Sequence, residues 1–209
     1  MRIAVLVYGR LNKCKEHHFN VVHCIGTNNN IDFFASSDNS PENLLNDFIN
    51  VYKPISYTNE PIHYDYDITK GYSGEKPLTD FGNFNNMTRH FINKNRVWKL
   101  LEDYITKTGI RYDIVLSLRI DVVYQNNFNF DELLDNTIYI PVGNDYLDGI
   151  NDQIAYGKID VMQKYNSINV KELIENGLSV PHPETLTLTN IRLHNLQITR
   201  VPLSHFIDR

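Results

Sequence analysis

The stretch "VLSLRIDVVY" (115–124) sets Arg119 and Asp121 one residue apart at the point where a long apolar run ends. A carboxylate at the end of a buried strand, beside a second charge, suits a hard divalent cation. Mg2+ and Mn2+ are held by one or two carboxylates and by substrate phosphates, not by an all-protein cage. The same spacing also makes a plain ion pair at a strand terminus, so both readings stand. A second segment, "GINDQIAYG" (149–157), places Asn151, Asp152 and Gln153 just before an apolar turn and a glycine. Asp152 there can accept a proton from a substrate hydroxyl, or it can be a turn aspartate bonded to its own backbone.

Four further groups carry polar chemistry. Asp65 and Asp67 share the one-residue spacing, but no apolar strand precedes them, so a solvated loop or a lid accounts for them. "VPHPETL" (180–186) has the form of a helix start with Pro183 and Glu184 in the first turn, where an acid favours the positive end of the helix dipole. Cys14, His17, His18, His23 and Cys24 follow no zinc-ligand spacing. On a helix Cys14, His18 and Val21 or Val22 would share a packed face. Arg89, Asn93 and Arg96 form one stripe of a helical segment, either a solvated face or a source of cations for a diphosphate.

The elements that must position these residues alternate. Strand-like runs are expected at 2–9, 31–38, 55–59, 112–118, 137–142 and 196–207. Helical patterns are expected at 12–23, at 40–52 with Ser40 as N-cap and Pro41 at the first helical position, and at 84–107. In the last of these, Met87, Phe91, Trp98 and Leu101 make the apolar stripe. Residues 60–82 have no periodicity and are expected to form a long surface loop of the kind used as lids. Continuous apolar strands alternating with helices predict an α/β fold. It would be a mixed, mostly parallel sheet covered on both faces, in one domain over 1–209. Ligands in such sheets sit beyond the carboxyl ends of the strands, which selects Gly9-Arg10, Ser36-Ser37-Asp38 and Arg119/Asp121.

Composition removes several classes. Of 209 residues, 42% are hydrophobic, enough for a sizeable core. The net charge is −5 and the 20 Lys/Arg are scattered, which gives a polynucleotide no electrostatic footprint. No segment approaches the ~20 apolar residues of a membrane span, and two cysteines suit a reducing compartment. There is no G-x-G-x-x-G after the first strand, and "GYSGEK" (71–76) lacks the spacing of a phosphate loop. A G-x-S-x-G elbow and an H-E-x-x-H pair are also missing.

Taken in order, "RIAVLVYGRL", "IDFFASSD", "NNMTRHFINKNRVWKLLEDY", "YDIVLSLRIDVVY", "NDQIAYG" and "HPETLTLTNIRL" resemble small glycosyltransferases of the GT-A fold. The likeness is strongest to the chlorovirus group that glycosylates the major capsid protein, and it spans nearly the whole chain. It implies a UDP-sugar donor of the UDP-glucose or UDP-rhamnose type, a glycan or glycoprotein acceptor, and Mn2+ or Mg2+ on the diphosphate. It also implies a location in the cytoplasm of a virus-infected host cell.

By the same resemblance Arg119-Ile120-Asp121 stands where the family has D-x-D, with Asp121 the metal ligand and Arg119 replacing the first aspartate. Gly9, Arg10 and Asp38 would lie at the nucleoside, Arg89, Arg96, Arg119 and Gln153 at the rest of the donor, and Asp152 with Asp121 at the chemistry. His205 and His194 are candidates for the late-chain metal ligands that some GT-A enzymes use, and strand or helix packing explains each as well. Two rival readings remain at this point: a nucleotidyltransferase making sugar nucleotides, and a non-catalytic nucleotide- or carbohydrate-binding module. A further domain after residue 209 is also compatible with the sequence.

Overall fold

A computed structural model describes residues 1–63 and 84–208. The strands are β1 (Arg2–Tyr8), β2 (Asn30–Ser36), β3 (Ser56–Thr58), β4 (Ile114–Leu118), β5 (Val122–Tyr124), β6 (Thr137–Pro141), β7 (Ile154–Gly157), β8 (Gln197–Val201) and β9 (His205–Ile207). The helices are α1 (Cys14–Ile25), α2 (Glu42–Tyr52), α3 (Phe84–Thr108), α4 (Ile159–Asn166), α5 (Val170–Glu175) and α6 (Pro183–Leu193).

Seven strands form one sheet in the order β3-β2-β1-β4-β7-β6-β8. β1 lies parallel to both β2 and β4, and β3 continues the parallel half. β7 runs antiparallel to β4 and β6, and β8 is parallel to β6. The fold is therefore α/β with a mixed sheet, as the alternation of patterns predicts. β5 and β9 pair separately as an antiparallel ribbon, Val122 opposite Ile207.

The period-2 geometry of a strand explains why β1 from Ile3 onward and β4 are buried on both faces and almost wholly apolar, the exception being Ser117, whose hydroxyl donates to Asn166 Oδ1 at 2.9 Å. Ile3, Val5 and Val7 enter one core with Leu116, Leu118 and the inner faces of α1 and α2. Ala4, Leu6 and Tyr8 enter the other, with Val97, Trp98 and Leu101 of α3 and Tyr165 of α4. Layers on both faces exclude water from the sheet and leave its strand ends as the place where polar groups can gather. Among the described residues, no helix is long and apolar enough to cross a membrane.

Three local expectations are corrected. The second helix starts at Glu42 with Pro41 in the N-cap position and without a side-chain cap. Ser40 is drawn away because its N–H donates to Asn59 Oδ1 (2.7 Å) while Asn59 Nδ2 donates to its carbonyl (2.9 Å). The continuous strand expected at 196–207 is two strands in different sheets. Pro202, which has no N–H for a ladder, lies between them. On α1 the inward residues are Cys14, His17, Val21 and Cys24, so His17 takes the place expected for His18. His17 Nδ1 contacts the Ile120 carbonyl at 2.9 Å and its Nε2 contacts Asp208 at 3.1 Å. Asp65, Asp67 and most of the loop expected at 60–82 lie outside the described residues.

Candidate functional site

The carboxyl ends of β1, β2 and β4 meet the amino end of the reversed strand β7, and four segments present their polar groups there. After β1, Gly9 adopts φ +100°, which favours glycine, and its N–H donates to the Ser36 carbonyl at 3.0 Å. Arg10, next in the chain, is exposed. After β2, the buried Ser36 hydroxyl bonds Asn93 Oδ1 of α3 at 2.8 Å. Asp38 accepts the Ile62 N–H at 2.7 Å and pairs with Arg89 of α3 at 3.0 Å.

After β4 the chain turns, and the Arg119 guanidinium grips Asp121 with two parallel hydrogen bonds, Nε to Oδ1 at 3.0 Å and Nη2 to Oδ2 at 2.6 Å. The plain ion pair is thus present in the structure. A fork of this kind fixes carboxylate orientation as well as charge. The segment is held from behind by His17 on the Ile120 carbonyl and by the Asp208 N–H on the Asp121 carbonyl (2.9 Å). The Arg119 N–H donates to the Gln153 carbonyl at 3.2 Å, which ties the end of β4 to the segment before β7.

That segment carries Asp152, buried with only 5% of its surface exposed. The Tyr8 hydroxyl donates to its backbone carbonyl at 2.9 Å, and Oδ2 lies 3.2 Å from His90 Nε2. Lys94, one turn further along α3, is fully buried, and its Nζ has no hydrogen-bond partner. Burial pushes Asp152 up from the ordinary carboxylate range, while Lys94 and Arg119 pull it down. Burial, helped by Lys94 and Arg119, holds His90 well below the usual imidazole range, so the ring is neutral. Gln153 is also buried, with Oε1 unpartnered.

A fifth segment enters from α6. His182 precedes Pro183 at the helix start, and Glu184 falls in the first turn as expected. Glu184 is not a solvated dipole acid, however. It is buried, its Oε2 lies 3.0 Å from His182 Nδ1, and its carbonyl accepts the Ile150 N–H at 3.1 Å. Burial, then Asp152, pushes its carboxyl up to about 8.

The structure thus brings together Arg119, Asp121, Asp152 and Gln153 on one side and Gly9, Asp38 and Arg89 on the other. Arg96 is engaged by the carbonyls of Glu60 (2.8 Å) and Pro61 (3.4 Å). Asn93 leaves the expected polar stripe for the interior. His205 is occupied at both nitrogens, Nε2 by the amides of Asn144 (3.1 Å) and Asn151 (3.3 Å), Nδ1 by the Leu203 carbonyl (3.1 Å). His194 only caps the end of α6.

His90 and Lys94 escaped the sequence reading, although a signal was there. Lys94 completes the stripe 87, 91, 94, 98, 101, and His90 sits one turn before it. A lysine in an otherwise apolar stripe marks either a snorkelling side chain or a buried charge.

Among the described residues no three His, Cys, Asp or Glu side chains gather as a metal cage. Asp121 fits a different arrangement. Its oxygens each keep a lone pair beyond the bond to Arg119, enough for a cation held mainly by phosphate oxygens. Compared with protein-family models and with curated proteins, the chain matches none.

Proposed function

We propose that this chain is a glycosyltransferase of the GT-A fold, moving a hexose or deoxyhexose from a UDP-sugar to a glycan or glycoprotein acceptor. The single observation that carries the reading is the junction of β4 and β7. There a forked Arg119–Asp121 pair stands beside a buried carboxylate, Asp152, at the ligand-binding edge of an α/β sheet. A leaving diphosphate needs positive charge, and an attacking hydroxyl needs a base. The two halves of the junction offer these separately.

In this reading Asp121 holds Mn2+ or Mg2+ on the donor, and the ion, when bound, neutralises charge that builds on the diphosphate. Arg119 keeps Asp121 oriented and adds its own charge to the same side. Gly9, Arg10, Asp38 and Arg89 border the nucleoside, where a glycine without a side chain lets the backbone approach the ligand closely. Gln153 is available to a sugar hydroxyl through its unpartnered Oε1. Asp152 takes the acceptor proton, while neutral His90 keeps its own position beside it. Modification of a viral capsid glycoprotein in the cytoplasm of an infected host cell is the setting in which the resemblance places such an enzyme.

The test is release of UDP from a panel of UDP-sugars with Mn2+ present, for the wild type and for Asp121→Ala. We expect one donor to stand out, and the variant to lose about 10²–10³-fold in kcat/KM. Turnover unaltered in the variant overturns the role of Asp121. Pyrophosphate formation from UTP and a sugar phosphate would mean a nucleotidyltransferase. Binding without turnover, with glycan acceptors supplied, would mean a binding module.

A further inference from the structure

On the sheet face that α1 and α2 cover, the β7-β6-β8 end is closed by the irregular stretch 125–136, whose Phe128 and Phe130 join that core. Between this stretch, β8 and the turn at 201–203 lies a cavity of about 340 Å³. Its floor is aromatic. Tyr139 and Tyr156 sit opposite each other on β6 and β7 with rings stacked 5.2 Å apart, and Phe128 meets Tyr156 edge-on at 5.9 Å. Both tyrosine hydroxyls are engaged. That of Tyr139 accepts the Leu134 N–H at 2.9 Å, and that of Tyr156 donates to the Asn129 carbonyl at 2.9 Å. The rings are held in place and offer the cavity hydrocarbon.

The walls are polar. Asn126 uses both ends of its amide, Nδ2 on the Pro202 carbonyl (2.7 Å) and Oδ1 on the Ser204 N–H (2.8 Å), which pins this wall to the chain after β8. Among the described residues, the Asn127 amide, the Thr199 hydroxyl and the Asp131 carboxylate have no side-chain partner. Arg200 also lines the cavity, but two bonds of 3.0 Å commit its guanidinium to Asp145.

We propose that this cavity is a second saccharide site, taking a neutral sugar unit of the acceptor glycan other than the unit that reacts. The role of that unit in an acceptor rests on the glycosyl-transfer reading; the binding of a saccharide does not. The volume falls at the small end of ligand pockets. An anion finds no free cation there, only the Asp131 carboxylate and an arginine already paired. A wholly apolar ligand would strip water from the amide and hydroxyl without replacing it. A sugar ring satisfies both surfaces. Its C–H face lies on the aromatic floor, and its hydroxyls donate to a carboxylate or amide oxygen and accept from an amide or hydroxyl.

The position fits an extended acceptor. The sheet order puts β6 and β8 beyond β7, on the side away from β1 and β2, whose ends border the nucleoside in the proposed function. Asp152 turns toward α3 through His90, whereas the cavity lies on the α1 face, so the two hold different units. The connection between them is short: Arg200 grips Asp145, Asp145 Oδ1 accepts the Asn151 N–H at 2.8 Å, and Asp152 is next in the chain.

The experiment titrates wild type, Thr199→Val, Thr199→Phe and Asn127→Ala with short neutral oligomers of glucose, mannose, galactose and xylose, by calorimetry with UDP saturating. Thr199 is half-buried on an edge strand that suits valine and phenylalanine, and Asn127 is exposed, so the fold is not at stake. Wild type should bind at least one oligomer. Thr199→Val and Asn127→Ala should each weaken it about three- to tenfold through one lost hydrogen bond. Thr199→Phe, which fills the cavity, should abolish it, with affinity for UDP unaltered in all three. No binding by wild type, or wild-type affinity in Thr199→Phe or in both polar variants, overturns the proposal. Saccharide binding lost in Thr199→Phe while no UDP-sugar is turned over would sink the transferase reading and leave this site standing.

Discussion

At the scale of single residues, Lys94 is the side chain that stability alone does not explain. It is fully buried, and its ammonium lies 3.7 Å from the centre of the Tyr165 ring, with the Tyr8 and Phe91 rings at 5.6 and 5.7 Å. Aromatic faces attract a cation but do not replace the hydration it gives up. Burial pushes Lys94 down to about 7, with Asp152 opposing. Because the unfolded chain holds this proton more tightly, wild-type stability should rise with pH between about 7 and the ordinary lysine value of 10.5. Lys94→Met removes the penalty. It should be more stable than wild type by about 1–3 kcal/mol below pH 7, with the gap closing as pH climbs toward 10.5. Thermal melts from pH 6 to 10 check this, and a gap independent of pH contradicts it. The same variant should transfer more slowly, because Asp152 loses a compensating charge. That exchange of stability for activity is what a functional buried charge implies.

At the scale of elements, the site depends on how closely three segments approach. α3 is fixed to the end of β2 by Asn93 on Ser36, and the end of β4 is fixed to β7 by the Arg119–Gln153 backbone bond. The start of α6 rests on Gly149 with no space for a side chain. Gly149→Ala would force the Glu184 backbone away. It should cost about 1–3 kcal/mol in denaturant unfolding and lower transfer more than UDP-sugar binding. Equal stability in the two proteins would mean that α6 is not seated as described.

Much of this framework was legible in the sequence. Apolar runs locate β1, β2, β3, β4 and β6, the segment expected as an apolar turn after Gln153 is strand β7, β5 is not among the expected strands, and the pattern over 84–107 gives a helix within one residue of its observed end. What escaped was long-range. Ser40 looked like a cap, because nothing local announces that Asn59 takes its backbone. Glu184 looked like a dipole acid, because only the fold brings Gly149 against it.

At the scale of the molecule, "RID", "NDQ" and "HPE" are separated by about 30 residues each, yet they converge because β7 runs against β4 and α6 returns to its amino end. A reversed strand beside a parallel one delivers a second set of polar residues to the ligand edge, which a purely parallel sheet would carry to the opposite side. The resemblance in the sequence suggested which segments mattered, and topology supplies the reason they can act together. In the function proposed for this chain, Asp152 is the base of a glycosyl transfer and not a structural aspartate. Asp152→Asn keeps the shape and the backbone bonds to Tyr8 while removing the proton acceptor. With the preferred UDP-sugar and an acceptor glycan, transfer by this variant should drop about 10²–10⁴-fold while its affinity for UDP stays within about threefold of wild type. Transfer at the wild-type rate would make Asp152 a structural aspartate and place the base elsewhere.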